Sequence, residues 1–462
     1  MTRDAASIRR ARALTRAAGA AALITLATLL QGCALAPPLR TTTLPEVART
    51  QPENFVVVTL RNDAAPPNPY AGSTTRGYRA PGPYRASAAA VGAMREIADQ
   101  HRLREVAAWP IELLGVHCVV FELPAASERE PMLAALRRDA AVETAQPLAR
   151  FELQAESQAE PQAEPWTEPQ GERRPADFND TYAALQRNLV DMEVAAAQRR
   201  SRGDGVRVAL VDTGVDTAHP DFGGRLGAVR DFVADGRRFD ERHGTAVAGV
   251  IAAEPNNRIG LAGIAPRAEL IALRACWPGT GSVAASDGGG ACNSFTLAQA
   301  LVAAIDARAA IVNLSLAGPA DPLLERIVAQ AQKRGTVFIG ALPRSGRREG
   351  FPNAVAGVIA VDVAGRGAAV PRTLRAPGSD VFTLSPGGRY DAASGSSLAA
   401  ASVTAVAALA LALQPRMSAS ELEAMLARSM STGTGVNACA VLRELLPVTA
   451  CRGGVADAGV AR

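Results

Sequence analysis

Val206-Arg-Val-Ala-Leu-Val-Asp212-Thr-Gly214 is a short apolar, β-branched run that ends on a carboxylate and a glycine. It reads as a buried strand of a parallel sheet. Asp212 falls at its carboxyl end, where open α/β sheets place their sites, and Gly214 lets the chain turn. Outward from this strand the pattern repeats. Strands are expected near 206–211, 268–273, 310–314, 336–341 and 357–362, with helices near 243–253, 296–308, 320–334 and 397–413. Such alternation implies an α/β fold, a parallel sheet with helices on both faces. Ser418 to Ser429 adds a final helix.

Two further segments carry chemistry. His243-Gly-Thr-Ala-Val-Ala-Gly249 opens a small-residue helix, and Gly395-Ser-Ser-Leu-Ala399 opens an apolar one. Alone, each has an ordinary reading: an Asp-Thr-Gly turn, a structural histidine, a helix cap. Together they supply a carboxylate, an imidazole and a hydroxyl, the inventory of a hydrolytic triad in the order Asp, His, Ser. A helix N-terminus beside the serine offers free N–H groups to an oxyanion.

On these residues the chain resembles the subtilisin-type serine peptidases, the subtilases. Asp212-Thr-Gly-Val-Asp216 with His219-Pro-Asp221 resembles the family's aspartate motif. His243-Gly-Thr-Ala-Val-Ala-Gly249 resembles its histidine motif, and Gly395-Ser-Ser-Leu-Ala399 resembles Gly-Thr-Ser-Met-Ala. Ile259-Gly-Leu-Ala-Gly-Ile-Ala-Pro266 and Val312-Asn-Leu-Ser-Leu316 match further segments, so the likeness covers about residues 177 to 445. The resemblance implies that Asp212, His243 and Ser397 form the triad, with Ser397 rather than Ser396 as nucleophile. It also implies that Ser315, Leu316, Ala317 and Gly318 edge a cleft where a peptide adds as a strand. No cofactor is required. Asp221 and Asn257 stand where some subtilases hold a structural calcium, while the residues themselves read as a solvated turn. One departure stands out. Counting from Gly335 puts Arg344 where the family has its oxyanion asparagine, and Asn353 follows a Phe-Pro that matches a later family position. Losing such a donor costs about 100- to 1000-fold in turnover. Arg344 either supplies the bond itself, or the enzyme is slow, or the chain is a degenerate subtilase acting as a binding or regulatory protein. If Arg344, Arg347 and Arg348 face the cleft, they favour acidic residues before the scissile bond.

Composition and the flanking segments bound the rest. A chain of 462 residues has room for two or three domains, and a net charge of +4 spread along it gives no reason to expect nucleic acid as a partner. Residues 1–32 read as a signal peptide, with arginines at 3, 9, 10, 12 and 16 before an apolar stretch too short to span a bilayer. Leu30-Gln-Gly-Cys33 resembles a bacterial lipobox, the alternative being an ordinary signal peptide with an incidental cysteine. The lipobox reading makes Cys33 the lipidated N-terminus. The protein is then exported and anchored to the envelope, and Ala34 points to the outer membrane by similarity to Gram-negative lipoproteins. A structural envelope lipoprotein is the other class this tether suits. The remaining cysteines suit an oxidising compartment. Pairing neighbours joins Cys276 to Cys292 and Cys439 to Cys451, leaving Cys118 as a buried thiol. No metal-ligand spacing appears.

Residues 33–53 read as a tether and 54–153 as a small α+β domain. Asn54 to Arg61 is a strand, Ser87 caps a helix to His101, Ile111 to Leu123 holds one or two strands, Ser127 to Glu130 is a capping box opening a helix to Asp139, and Val142 to Leu153 is strand-like. The order βαββαβ suggests a ferredoxin-like domain. It resembles the prodomains of subtilases, the alternative being an unrelated module. Residues 154–176 form a Gln/Ala/Glu/Pro linker unable to build a core, 177–451 the catalytic domain, and 452–462 a tail.

Overall fold

The computed structural model describes residues 43–63, 85–155, 178–237, 239–279 and 289–446. The signal segment, Cys33, most of the linker, Cys451 and the tail lie outside these.

The N-terminal domain is built as its pattern predicts. α1 (Val47–Thr50) leads into β1 (Phe55–Arg61), followed by α2 (Ala88–His101), β2 (Arg104–Ile111), β3 (Val116–Glu122), α3 (Arg129–Leu136) and β4 (Val142–Pro147). The sheet order β2-β3-β1-β4, antiparallel at every pairing, is that of a ferredoxin-like domain. Ser87 caps α2 by accepting from Ala90 N. Three local expectations are corrected. The second strand lies before Ile111, because Arg104–Ile111 is held by register with β3 despite its charges and its proline. Ser127 caps nothing: residues 126–128 form a 3-10 turn that runs straight into α3, so its backbone is already helical. The end of the tether is packed, with Ala48 and Leu44 buried among apolar side chains.

Alternation along β1 explains how this domain docks. Val56, Val58 and Leu60 face α2 and α3, while Phe55 and Val57 share a second cluster with the C-terminal domain. Both faces of the strand are therefore apolar, as for any strand covered on both sides.

The C-terminal domain carries seven parallel strands in the order β15-β14-β13-β11-β6-β8-β7. These are β6 (Arg207–Asp212), β7 (Val229–Asp231), β8 (Glu269–Arg274), β11 (Ile311–Leu314), β13 (Val337–Ala341), β14 (Val358–Val363) and β15 (Thr373–Ala376). Helices α4 (Arg242–Ala252), α5 (Ser294–Asp306), α6 (Pro322–Gln332) and α7 (Ser396–Leu413) cover the sheet. α7 is apolar all round and 89% buried, a core helix in spite of its membrane-like length. α8 (Ala419–Arg428) has the capping box Ser418/Glu421. Cys276 and Cys292 are disulfide-bonded between β9 (Cys276–Pro278) and β10 (Gly290–Asn293). Cys439 is disulfide-bonded too, and Cys118 is a buried free thiol.

Candidate active site

The carboxyl ends of β6, β11 and β13 converge with the N-terminal ends of α4 and α7. Asp212 is the last residue of β6, and Thr213 N donates to its Oδ1 at 2.7 Å. The turn that follows is tied to α4, since Gly244 N donates to Thr213 Oγ1 at 2.9 Å. Glycine is required on both sides of this junction. A Cβ on Gly214 would stand 2.3 Å from Phe239 O, and one on Gly244 2.6 Å from Gly214 O.

The three residues expected to form the triad meet. His243 Nδ1 lies 2.6 Å from Asp212 Oδ1 and His243 Nε2 lies 3.0 Å from Ser397 Oγ. A carboxylate only accepts, so Nδ1 carries the proton and Nε2 is free to accept from the serine. Asp212 is fully buried. Ser396 is turned away, its Oγ donating to Leu342 O at 2.7 Å.

The cleft is filled by the chain itself. β5 (Arg150–Leu153) leaves the N-terminal domain and lies between β10 and β12 (Leu316–Ala317), antiparallel to both. Gln154 N donates to Ser315 O at 3.1 Å, and Ser397 N donates to Gln154 O at 3.4 Å. The Gln154–Ala155 peptide bond thus lies at the serine. Phe151 is buried edge-on against Phe351, with 5.8 Å between ring centres, and Gly318 leaves room for it. This corrects the linker boundary: Gln154 and Ala155 belong to the cleft segment.

Arg344 does not reach the Gln154 carbonyl. Its main-chain N–H donates to Gln154 Oε1 at 3.2 Å, and its Nη2 donates to Ala155 O. Asn353 is buried and donates to Ala341 O at 2.8 Å. Arg348 turns from the cleft to the carbonyls of Asn353, Val358 and Arg372, and Arg347 pairs with Glu349 at the surface. Of the three arginines, only Arg344 meets the cleft segment, so the condition for a preference for acidic residues is not met by Arg347 and Arg348.

Asp221 is buried rather than part of a solvated turn. Its Oδ1 accepts from Asn257 Nδ2 at 2.8 Å and its Oδ2 from Leu261 N at 2.7 Å. Burial pushes its carboxyl up to about 6. Both oxygens face protein donors, and the described residues hold no group of three or more His, Cys, Asp or Glu side chains placed to share a metal ion.

Sequence reasoning missed a buried ion network behind the triad. Arg274 ends β8 directly beside Asp212 in register and is 1% exposed. It donates to Glu241 at 2.7 and 3.0 Å, to Asp235 at 2.9 and 3.2 Å and to Asp231 at 3.2 Å. Glu241 also accepts from Gly214 N at 2.5 Å, which fixes the turn after Asp212 to the start of the histidine helix. The one signal was an arginine ending an otherwise apolar strand.

Comparison with known proteins agrees with this architecture. The subtilase family model matches residues 203–441. The chain is 31% identical over 274 residues to thermitase from Thermoactinomyces vulgaris, covering 56% of this chain and 93% of thermitase. It is 37% identical over 217 residues to a thermophilic serine proteinase from Bacillus sp. (strain AK1), covering 44% of this chain and 52% of that one, so it spans about half of that relative's length. The fold is shared with fervidolysin from Fervidobacterium pennivorans, at a TM-score of 0.62 and 19% identity, covering 84% of this chain and 61% of the other. The chain belongs to the subtilase family.

Proposed function

We propose that the protein is an exported serine endopeptidase, made with its own prodomain and tethered to the cell envelope through a lipid on Cys33. The observation that carries the catalytic part is the aligned set Asp212, His243 and Ser397 facing the Gln154 carbonyl. Ser397 Oγ attacks that carbonyl carbon while His243 Nε2 takes the hydroxyl proton. Asp212 holds the imidazolium that forms. The oxyanion meets Ser397 N–H at the N-terminus of α7. Collapse of the tetrahedral adduct breaks the bond to the Ala155 nitrogen, which leaves with the proton from His243. Water then releases the acyl group from Ser397. Strand addition between β10 and β12 lets peptide or protein substrates bind through their main chain. The prodomain role is supported by the ferredoxin-like topology and by β5 filling the cleft. The anchor rests on the sequence around Cys33 alone.

A fluorophosphonate probe tests the nucleophile. The wild-type protein should be labelled at Ser397, Ser396→Ala should keep the label, and Ser397→Ala should lose it. Labelling that survives Ser397→Ala sinks the assignment.

A further inference from the structure

The segment in the cleft ends on a glutamine whose carboxamide is held at both ends. Gln154 is 6% exposed. Its Oε1 accepts from Arg344 N at 3.2 Å, and its Nε2 donates to Glu152 O at 2.8 Å. It lines a cavity of about 440 Å³ together with Pro343, Arg344, Ser345 and Glu349. A glutamate in its place would set a carboxylate oxygen against the Glu152 carbonyl, where the amide nitrogen now donates. A leucine would leave Arg344 N–H without its acceptor. Sites built on such bonds reject analogues that cannot make them more strongly than apolar pockets do.

The guanidinium of the same residue acts on the other side of the scissile bond. Nη2 donates to Ala155 O, the carbonyl one residue beyond the bond facing Ser397. It therefore orients the departing half of the substrate rather than the oxyanion.

We propose that Arg344 is a specificity-determining and positioning residue: its main-chain N–H selects glutamine before the scissile bond, and its guanidinium grips the main-chain carbonyl of the residue after it. The substrate class is peptides with an uncharged carboxamide at that position. This rests on the reading of Ser397 as nucleophile.

The test uses the full chain after it has been allowed to process itself. One substrate is the peptide of residues 150–157. The other is the acyl half, residues 150–154, joined to p-nitroaniline, which has no carbonyl for the guanidinium. Peptides carrying leucine or glutamate in place of Gln154 should be cut with kcat/KM about 10-fold or more below the glutamine peptide. Arg344→Ala keeps the main-chain N–H and should keep that preference. It should lower the ratio of peptide to anilide kcat/KM by about 3- to 10-fold, the worth of one partly exposed charged hydrogen bond. Equal cutting of the three peptides overturns the glutamine selection. Equal loss on peptide and anilide returns Arg344 to the oxyanion, and no loss on either removes it from the reaction; both overturn the grip. A wild-type chain that cuts neither itself nor the anilide overturns the peptidase reading, and this proposal falls with it.

Discussion

Arg274 illustrates what single residues do here. Its guanidinium is 1% exposed among three carboxylates, of which Asp235 and Glu241 are 7% and 8% exposed. Burial disfavours the Asp235 carboxylate, but the Arg274 bonds outweigh it and hold its pKa below the usual value. Removing one partner of such a set strands buried charge. Arg274→Met should therefore cost about 3–5 kcal/mol in chemical denaturation, measured in the Ser397→Ala background so that no self-cleavage intervenes. Adding Glu241→Gln should recover part of the loss, because one stranded carboxylate is gone. A single variant within about 0.5 kcal/mol of the parent would show that the network contributes little. The triad was legible because each member sits in a local context with its own signature. This network was not, because its members are scattered from Asp231 to Arg274 and meet only when β7, β8 and α4 come together. Arg344 shows the complementary limit. Its place in the chain could be counted, but the atoms it reaches belong to residues 189 and 190 positions earlier.

Elements of the parallel sheet were readable because buried strands and amphipathic helices differ in period. β5 was not, since four residues of alternating burial look the same whether they pair with their own sheet or with another domain. Within the N-terminal domain, β3 carries a feature with a measurable consequence. His117 is 3% exposed, and neither ring nitrogen has a hydrogen-bond partner among the described residues. Burial lowers its pKa from 6.5, so the fold favours the neutral ring. The unfolded chain then binds more protons as pH falls through 6.5. Stability contributed by neutral His117 is complete above that value and is lost progressively below it, down to the folded pKa. The melting temperature of the Ser397→Ala chain should fall between pH 7.5 and pH 5.5, and His117→Leu should shrink that fall. An equal fall in both chains would assign the acid sensitivity to other groups.

For the molecule as a whole, the question is what a cut at Gln154–Ala155 accomplishes. The acidic, proline-rich composition of the linker beyond this bond invites the expectation that cleavage frees the catalytic domain and leaves the N-terminal domain on the membrane. The contacts argue otherwise. Phe55, Val57, Ile111, Val116 and Val120 are buried in a cluster shared with Phe295 of α5 and with Leu323 and Leu324 of α6. Each apolar side chain so buried is worth about 1.5–3 kcal/mol. Trp109 packs edge-on against Phe295, Ser294 N donates to Ala149 O while Ala149 N donates to Ser294 Oγ, and Gln146 Oε1 accepts from Leu323 N at the start of α6. Glu143 pairs with Arg326 at 2.6 Å. None of these depends on the Gln154–Ala155 bond, and β5 keeps both strand neighbours after it is cut. Cleavage should therefore leave a nicked complex, still held on the envelope through the N-terminal half. In a denaturing gel the wild-type protein should run as two fragments, the larger starting at Ala155, while Ser397→Ala runs as one chain. In native gel filtration after detergent extraction the two fragments should elute together, and both should stay with the membrane fraction. Replacing Phe55 and Val57 with alanine should weaken the apolar contact by several kcal/mol and shift the larger fragment to the soluble fraction. A wild-type larger fragment that is soluble without that change would mean that the scissile bond, and not the apolar face, holds the two domains together.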